Sequence, residues 1–105
     1  MARSKKFNDL LIESLKDKDE AIAYLNAILE DCKDGDEESQ KLLLLALKNI
    51  AEAQGGVARL AKKTGLGRES LYKTLSSKGN PRLTTLTLLI SALGLNLMVG
   101  YPSKR

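Results

Sequence analysis

The chain has 105 residues, 43% of them hydrophobic and only 4% aromatic, with 17 Lys or Arg against 13 Asp or Glu and no His. That length suits one domain rather than two, and so few aromatics require a core of Leu, Ile, Ala and Val on helices, an all-α compact domain of about six helices. A histidine-based zinc site, an internal disulfide (Cys32 is the only cysteine), a stacking platform for single-stranded nucleic acid and an apolar run of the ~18 residues a membrane span needs are all excluded.

The first half, residues 1–55, reads as helical throughout. Asn8 is the expected cap of a first short helix, with Phe7 before it and Ile12 four residues in, the spacing of a hydrophobic staple. Asp17 and Glu20 form a box-like cap for a second helix, which places Ile22, Leu25, Leu29 and Cys32 on one buried stripe. On that stripe Cys32 reads as a small buried hydrophobe rather than a reactive thiol. Cys32 to Glu38 is a polar connection. A third helix starts at Asp36, with Glu37 and Glu38 in its first turn, where negative charge suits the helix dipole. Leu42, Leu43, Leu44, Leu45 and Leu47 cover most of its circumference, so it is either a central helix wrapped by the others or part of a dimer contact. Gln54-Gly55-Gly56 ends it.

Residues 56–94 read as a helix-turn-helix. Val57, Leu60 and Ala61 share one face at i, i+3 and i+4, while Arg59, Lys62 and Lys63 fall elsewhere. Gly65 supplies a positive-φ turn, Leu66 plugs the junction, and Arg68 to Ser76 form a second helix with Leu71 and Leu75 inward. Arg68, Glu69, Tyr72 and Lys73 are left outward as a reading head for the major groove. Arginine or lysine there addresses guanine O6 and N7, Tyr72 a phosphate or thymine methyl, and Glu69 either cytosine N4 or a neighbouring cation. Arg59, Lys62, Lys78 and Arg82 complete the DNA-contacting candidates, with Lys62 and Arg82 assigned to phosphate. Asn80 as N-cap and Pro81 at the first helical position are expected to open a bracing helix carrying Leu83, Leu86, Leu89, Ile90 and Leu93, which stops at Gly94. Beyond it the period changes: Leu95, Leu97, Val99 and Tyr101 alternate with Asn96, Met98 and Gly100, the pattern of a short strand over 95–101. A lone strand needs another edge, so a symmetric homodimer presenting two reading heads to successive major grooves is expected.

Charge divides the chain in the same place. Residues 1–55 hold 8 basic and 12 acidic side chains, residues 56–105 hold 9 and 1, so net charges of −4 and +8 lie behind the overall +4. The basic part suits phosphate, since each neutralised phosphate releases condensed counterions. DNA repels the acidic part, whose natural partner is a basic protein, although caps and solvated faces explain most of these acids singly.

The run Gly65-Leu66-Gly67-Arg68-Glu69-Ser70-Leu71-Tyr72-Lys73-Thr74-Leu75-Ser76, followed by Gly79-Asn80-Pro81, resembles the signature of the probable addiction-module antidote proteins, a branch of the Xre-like, HigA-type repressors. Ala23-Tyr24-Leu25-Asn26-Ala27-Ile28-Leu29-Glu30 and Leu45-Ala46-Leu47-Lys48-Asn49-Ile50-Ala51 fit as well, so the likeness covers roughly residues 7–101. Gly67 departs from the pattern, where Ser is usual; glycine still caps the helix but lacks a hydroxyl for phosphate. The resemblance implies a helix-turn-helix of the Xre/lambda-repressor-like type in an antitoxin. Such a protein neutralises a basic toxin of the RelE/ParE superfamily and represses their shared operon by binding double-stranded operator DNA. It makes the acidic part the toxin-facing surface, with Asp31, Asp34, Asp36, Glu37 and Glu38 as candidates.

A stand-alone repressor without a toxin would share every DNA-facing residue, and an adjacent toxin-like reading frame separates the two. An enzyme would need acids such as Asp17, Asp19 and Glu20 to hold a metal, yet those positions are explained by a helix cap, and no histidine or phosphate loop assists. No catalytic residue, cofactor or metal is expected. Double-stranded RNA is conceivable from charge alone, though this motif favours DNA. The chain reaches Asp9 before any signal-like apolar region, so a cytoplasmic protein without a membrane partner is expected.

Overall fold

The computed structural model describes residues 5–32 and 35–101. Six helices follow in chain order: α1 (Lys5–Ser14), α2 (Lys18–Asp31), α3 (Glu37–Ala53), α4 (Val57–Thr64), α5 (Arg68–Thr74) and α6 (Leu83–Ala92). There is no strand among the described residues.

Capping explains where the two longest helices begin. The Asp17 carboxylate accepts from the amides of Asp19 at 2.8 Å and Glu20 at 3.3 Å, satisfying two of the four free amides of α2. The reciprocal arm expected of a capping box is replaced by main chain, because the Asp17 amide donates to the Ser14 carbonyl at 3.2 Å and so joins α2 to the end of α1. Asp36 caps α3 through the Ser39 amide at 3.0 Å, with Glu37 and Glu38 in the first turn as expected.

α1 begins earlier than its sequence suggests. Asn8 lies inside it rather than at its cap, since an asparagine in a helix interior costs only a fraction of a kcal/mol (roughly 0.5) while each further helical residue adds a hydrogen bond. Phe7 is half exposed and lies inside the helix, not before its entry.

α3 is the central element. Leu44, Ala46, Leu47, Ile50 and Ala51 are buried, with α1, α2 and α4 packed around them. Burying a side chain the size of Leu44, Leu47 or Ile50 stabilises the fold by about 1.5–3 kcal/mol. Leu42 and Leu45 remain exposed, so the leucine run exceeds what the single chain covers. The buried Asn49 donates from Nδ2 to Tyr24 Oη on α2 at 3.4 Å. The α2 stripe is also rotated from expectation: Ala21 and Leu25 are buried, Ile28 and Leu29 partly, and Ile22 is exposed.

Two further joints hold the ends together. Gln54, the C-cap of α3, donates from Nε2 to the carbonyls of Leu15 at 2.8 Å and Lys16 at 3.2 Å. Lys18 Nζ donates to the Leu93 carbonyl at the end of α6 at 2.8 Å, placing a cation where the helix dipole is negative.

α6 starts later than expected. Its N-cap is Arg82, extended and without a side-chain bond, and Asn80-Pro81 precede the helix; Asn80 Oδ1 accepts from Gln40 Nε2 at 3.5 Å instead of capping. Leu89, Ile90 and Leu93 are buried and Leu86 partly, whereas Leu83 is 70% exposed and outside the core. The helix ends at Ala92 with Leu93 as its C-cap, and Gly94, read from the sequence as the stop, follows at φ 80°. The expected strand over 95–101 is not formed in the single molecule, because no second edge exists for it to pair with among the described residues.

Candidate nucleic-acid interface

Two short helices joined by a three-residue turn build the candidate site. α4 buries Val57 and Leu60 and half-buries Ala61. Gly65 adopts φ 77°, its amide donating to the Ala61 carbonyl at 2.9 Å. Thr64 Oγ1 donates to the Leu60 carbonyl at 2.9 Å and accepts from the Leu66 amide at 3.3 Å, so the turn is tied from both sides. Leu66 packs against the core, as a plug would.

α5 has seven residues, too few to be helical alone, so its burial decides its orientation. Leu71 is completely buried and Leu75 nearly so. With those two pinned, Arg68, Glu69, Tyr72 and Lys73 are held outward and all are exposed. No ion pair involves Glu69 among the described residues, so it is not consumed by a neighbouring cation. The helix ends two residues before the expected Ser76: the Ser76 amide and hydroxyl both turn back onto the Lys73 carbonyl, at 3.2 and 2.7 Å.

The loop after α5 carries the remaining basic candidates. Its anchor is Gly79, whose amide donates to the Ser76 carbonyl at 2.9 Å and whose carbonyl accepts from Gln40 Nε2 of α3 at 3.1 Å. The Gly79 backbone lies so close to the Thr74 carbonyl that a Cβ has no room. This anchoring brings Lys78 beside Lys73, on the rim of one shallow depression with Asn80 and Pro81. Arg82 is exposed at the entry to α6, and Lys62 is exposed on α4.

Arg59 sits apart from this group. Its aliphatic chain folds over Gly55, and with Lys63 and Lys18 it borders a cleft between the end of α3 and Leu93. Lys18 is the member that sequence reasoning missed. No local signal links it to Leu93, 75 residues away.

The acidic candidates are scattered over the other end of α3 and the preceding connection. Asp31, Asp36, Glu37 and Glu38 are exposed; Asp34 lies outside the described residues. Glu38 approaches Lys41 at 3.8 Å. Hydrogen bonding from the Ser39 side chain, and then from its amide, holds the Asp36 carboxyl below the usual carboxylate range. Burial pushes the Cys32 thiol up, and Sγ faces the Ser39 carbonyl at 3.5 Å, consistent with a protonated, inert side chain. Glu37 and Lys78 border one depression together with Gln40 and Lys41. Charges divided cleanly along the chain therefore meet in space at the start of α3.

Among the described residues no helix is long and apolar enough to cross a membrane. A protein of Haemophilus influenzae, described only as uncharacterized, is 38% identical over 87 residues that span 83% of this chain and 82% of that protein. No solved structure matches. A family model described as "probable addiction module antidote protein" matches residues 4–101, nearly the whole chain, and the protein belongs to that family.

Proposed function

We propose that this protein is the antitoxin of a type II toxin–antitoxin module, acting in the cytoplasm by binding and without catalysis. It neutralises a basic, RelE/ParE-like toxin through its acidic first half and represses its own operon through a helix-turn-helix of the Xre type formed by α4 and α5. The family supports the antidote role, since an antidote implies a toxin. One structural observation carries the DNA reading: Leu71 and Leu75 lock a helix too short to stand alone, leaving Arg68, Tyr72 and Lys73 outward as a group.

In this reading α5 lies in the major groove with its N-terminal end towards the base edges. Arg68 addresses guanine, Glu69 accepts from cytosine N4, and Tyr72 packs on a thymine methyl or a phosphate. Lys73 and Lys78 follow one strand of the backbone, with Lys62 and Arg82 on flanking phosphates. Arg59, turned over Gly55, acts on phosphate alone.

The test is binding of the purified protein to a duplex from immediately upstream of its gene and to a scrambled duplex, across a salt series. Preference for the upstream duplex that persists as salt rises is expected, with a slope reporting the phosphates neutralised. Equal and steeply salt-sensitive binding to both refutes sequence-specific repression. Co-expression with the product of an adjacent toxin-like reading frame tests neutralisation: growth should be restored and the two proteins should copurify.

A further inference from the structure

The cleft between the start of α2, the end of α3, α4 and the end of α6 gathers charge of one sign. It encloses about 180 Å³ and is bordered by Lys18, Gln54, Gly56, Arg59, Lys63 and Leu93. Lys18, Arg59 and Lys63 bring three cations to it, and no acidic residue lines it. No ion pair involves any of the three among the described residues.

Two of these cations are positioned by glycines that leave them room. A Cβ on Gly55 would meet Arg59 Cδ at 2.5 Å and its Nη1 at 3.2 Å, so the arginine lies where only a bare backbone lets it pass. A Cβ on Gly94 would collide with Lys18 Nζ, which donates to the adjoining Leu93 carbonyl at 2.8 Å. That bond occupies one of the ammonium's three donors and leaves the others for a ligand. The φ values of 115° at Gly55 and 80° at Gly94 keep both positions free of side chains. Cations held before a ligand arrives lose less side-chain entropy on binding it.

We propose that this cleft binds a phosphate group. Like charges around a small concave space repel one another, and its low-dielectric walls concentrate their potential, so an anion of matching size is stabilised there. The guanidinium fork of Arg59 donates to two phosphate oxygens at once, and the ammonium groups of Lys18 and Lys63 reach the remaining ones. A carboxylate, with two oxygens and a single charge, satisfies such a set less fully. Size narrows the ligand further. The cleft is smaller than the ~300 Å³ at which pockets begin to enclose a drug-sized molecule, so it takes a free phosphate, or one phosphate of a nucleic-acid backbone whose remainder stays outside. Because Arg59 stands apart from Arg68, Tyr72 and Lys73, the site holds whether or not α5 reads DNA.

Nuclear magnetic resonance titration of the full chain with inorganic phosphate, at ionic strength held constant with chloride, tests it. The Gly56 amide and Arg59 Nε–H signals should shift saturably at millimolar phosphate. Arg59→Gln and Lys63→Gln, followed at the Gly56 amide and with unchanged circular dichroism, should each bind about tenfold more weakly, whereas Lys6→Gln on exposed α1 should bind like the parent. A shift that does not saturate, or equal affinity in all four proteins, overturns the proposal. Duplex binding across a salt series then identifies the source of the phosphate. If a DNA backbone supplies it, Arg59→Gln and Lys63→Gln each reduce the salt slope by about one; if free phosphate is the ligand, both variants keep the parent's slope.

Discussion

Gly79→Ala probes the joint that positions Lys78 beside Lys73. The added methyl would land on the Thr74 carbonyl, with the Thr74 carbonyl carbon at 2.6 Å and the Ser76 oxygen at 3.1 Å. Gly79 is not among the positive-φ glycines, so the penalty is one of contact and not of backbone conformation. These are main-chain atoms of a tight turn, which cannot swing aside as a side chain would, so the turn must open. Overpacking of that kind costs about 1–3 kcal/mol. An opened turn also loses the Gly79 amide bond to Ser76 and the Gln40 bond to the Gly79 carbonyl, each worth about 1 kcal/mol. The expected loss is about 3–5 kcal/mol, a large part of the about 5–15 kcal/mol typical of a whole domain. Urea denaturation followed by far-ultraviolet circular dichroism measures it, with an unchanged slope confirming that the same surface unfolds. Gly67→Ala is the control: its φ of −68° suits any residue and its nearest neighbour is Ser70 Cβ at 3.9 Å, so only the poorer cap matters, at about 1 kcal/mol or less. If Gly79→Ala loses no more than the control, the close approach to Thr74 does not hold the loop and the reasoning fails.

Three further outcomes are expected. Arg68→Ala should cost about 1–3 kcal/mol on the upstream duplex and little on a scrambled one, whereas Lys62→Ala should weaken both and reduce the salt slope by about one; equal losses for Arg68→Ala on the two duplexes would eliminate base reading. Gly67→Ser should stabilise the fold by ~0.3 kcal/mol, read as a higher urea midpoint at unchanged slope, because a serine oxygen at this N-cap can reach the Ser70 amide; an unchanged or lower midpoint contradicts the cap geometry. Asp36 has a folded-state pKa below its ordinary 3.8, so its contribution is present above that value and is lost as pH falls through the lower folded one. Asp36→Asn retains the cap but does not titrate, and should lose less stability than the parent on acidification below 3.8; parallel acid curves would refute the assignment.

Local chemistry made much of this protein legible in one dimension. Asp17 and Asp36 cap their helices because a carboxylate reaches amides two or three residues on, whatever the rest of the chain does. Gly65 and Gly94 turn with positive φ because glycine alone does so at little cost. Leu71 and Leu75, four apart, had to share a face, which left Arg68, Glu69, Tyr72 and Lys73 outward.

Where local preference is weak, neighbours distant in sequence decided the result. Asn8 yielded to a helix that continues through it, and Asn80 was drawn from capping α6 to bonding Gln40 on α3. Lys18 meets Leu93, and Arg59 folds over Gly55 away from α5, through approaches that no residue spacing encodes. Residues 95–101 alternate as a strand does, but a strand is a relation between two edges, and a single chain supplies one. Short-range hydrogen bonds and backbone sterics thus set the helices and the outward face of α5 from the sequence alone. Only the packed structure determined which charges stand together, because that depends on contacts whose partners lie tens of residues apart.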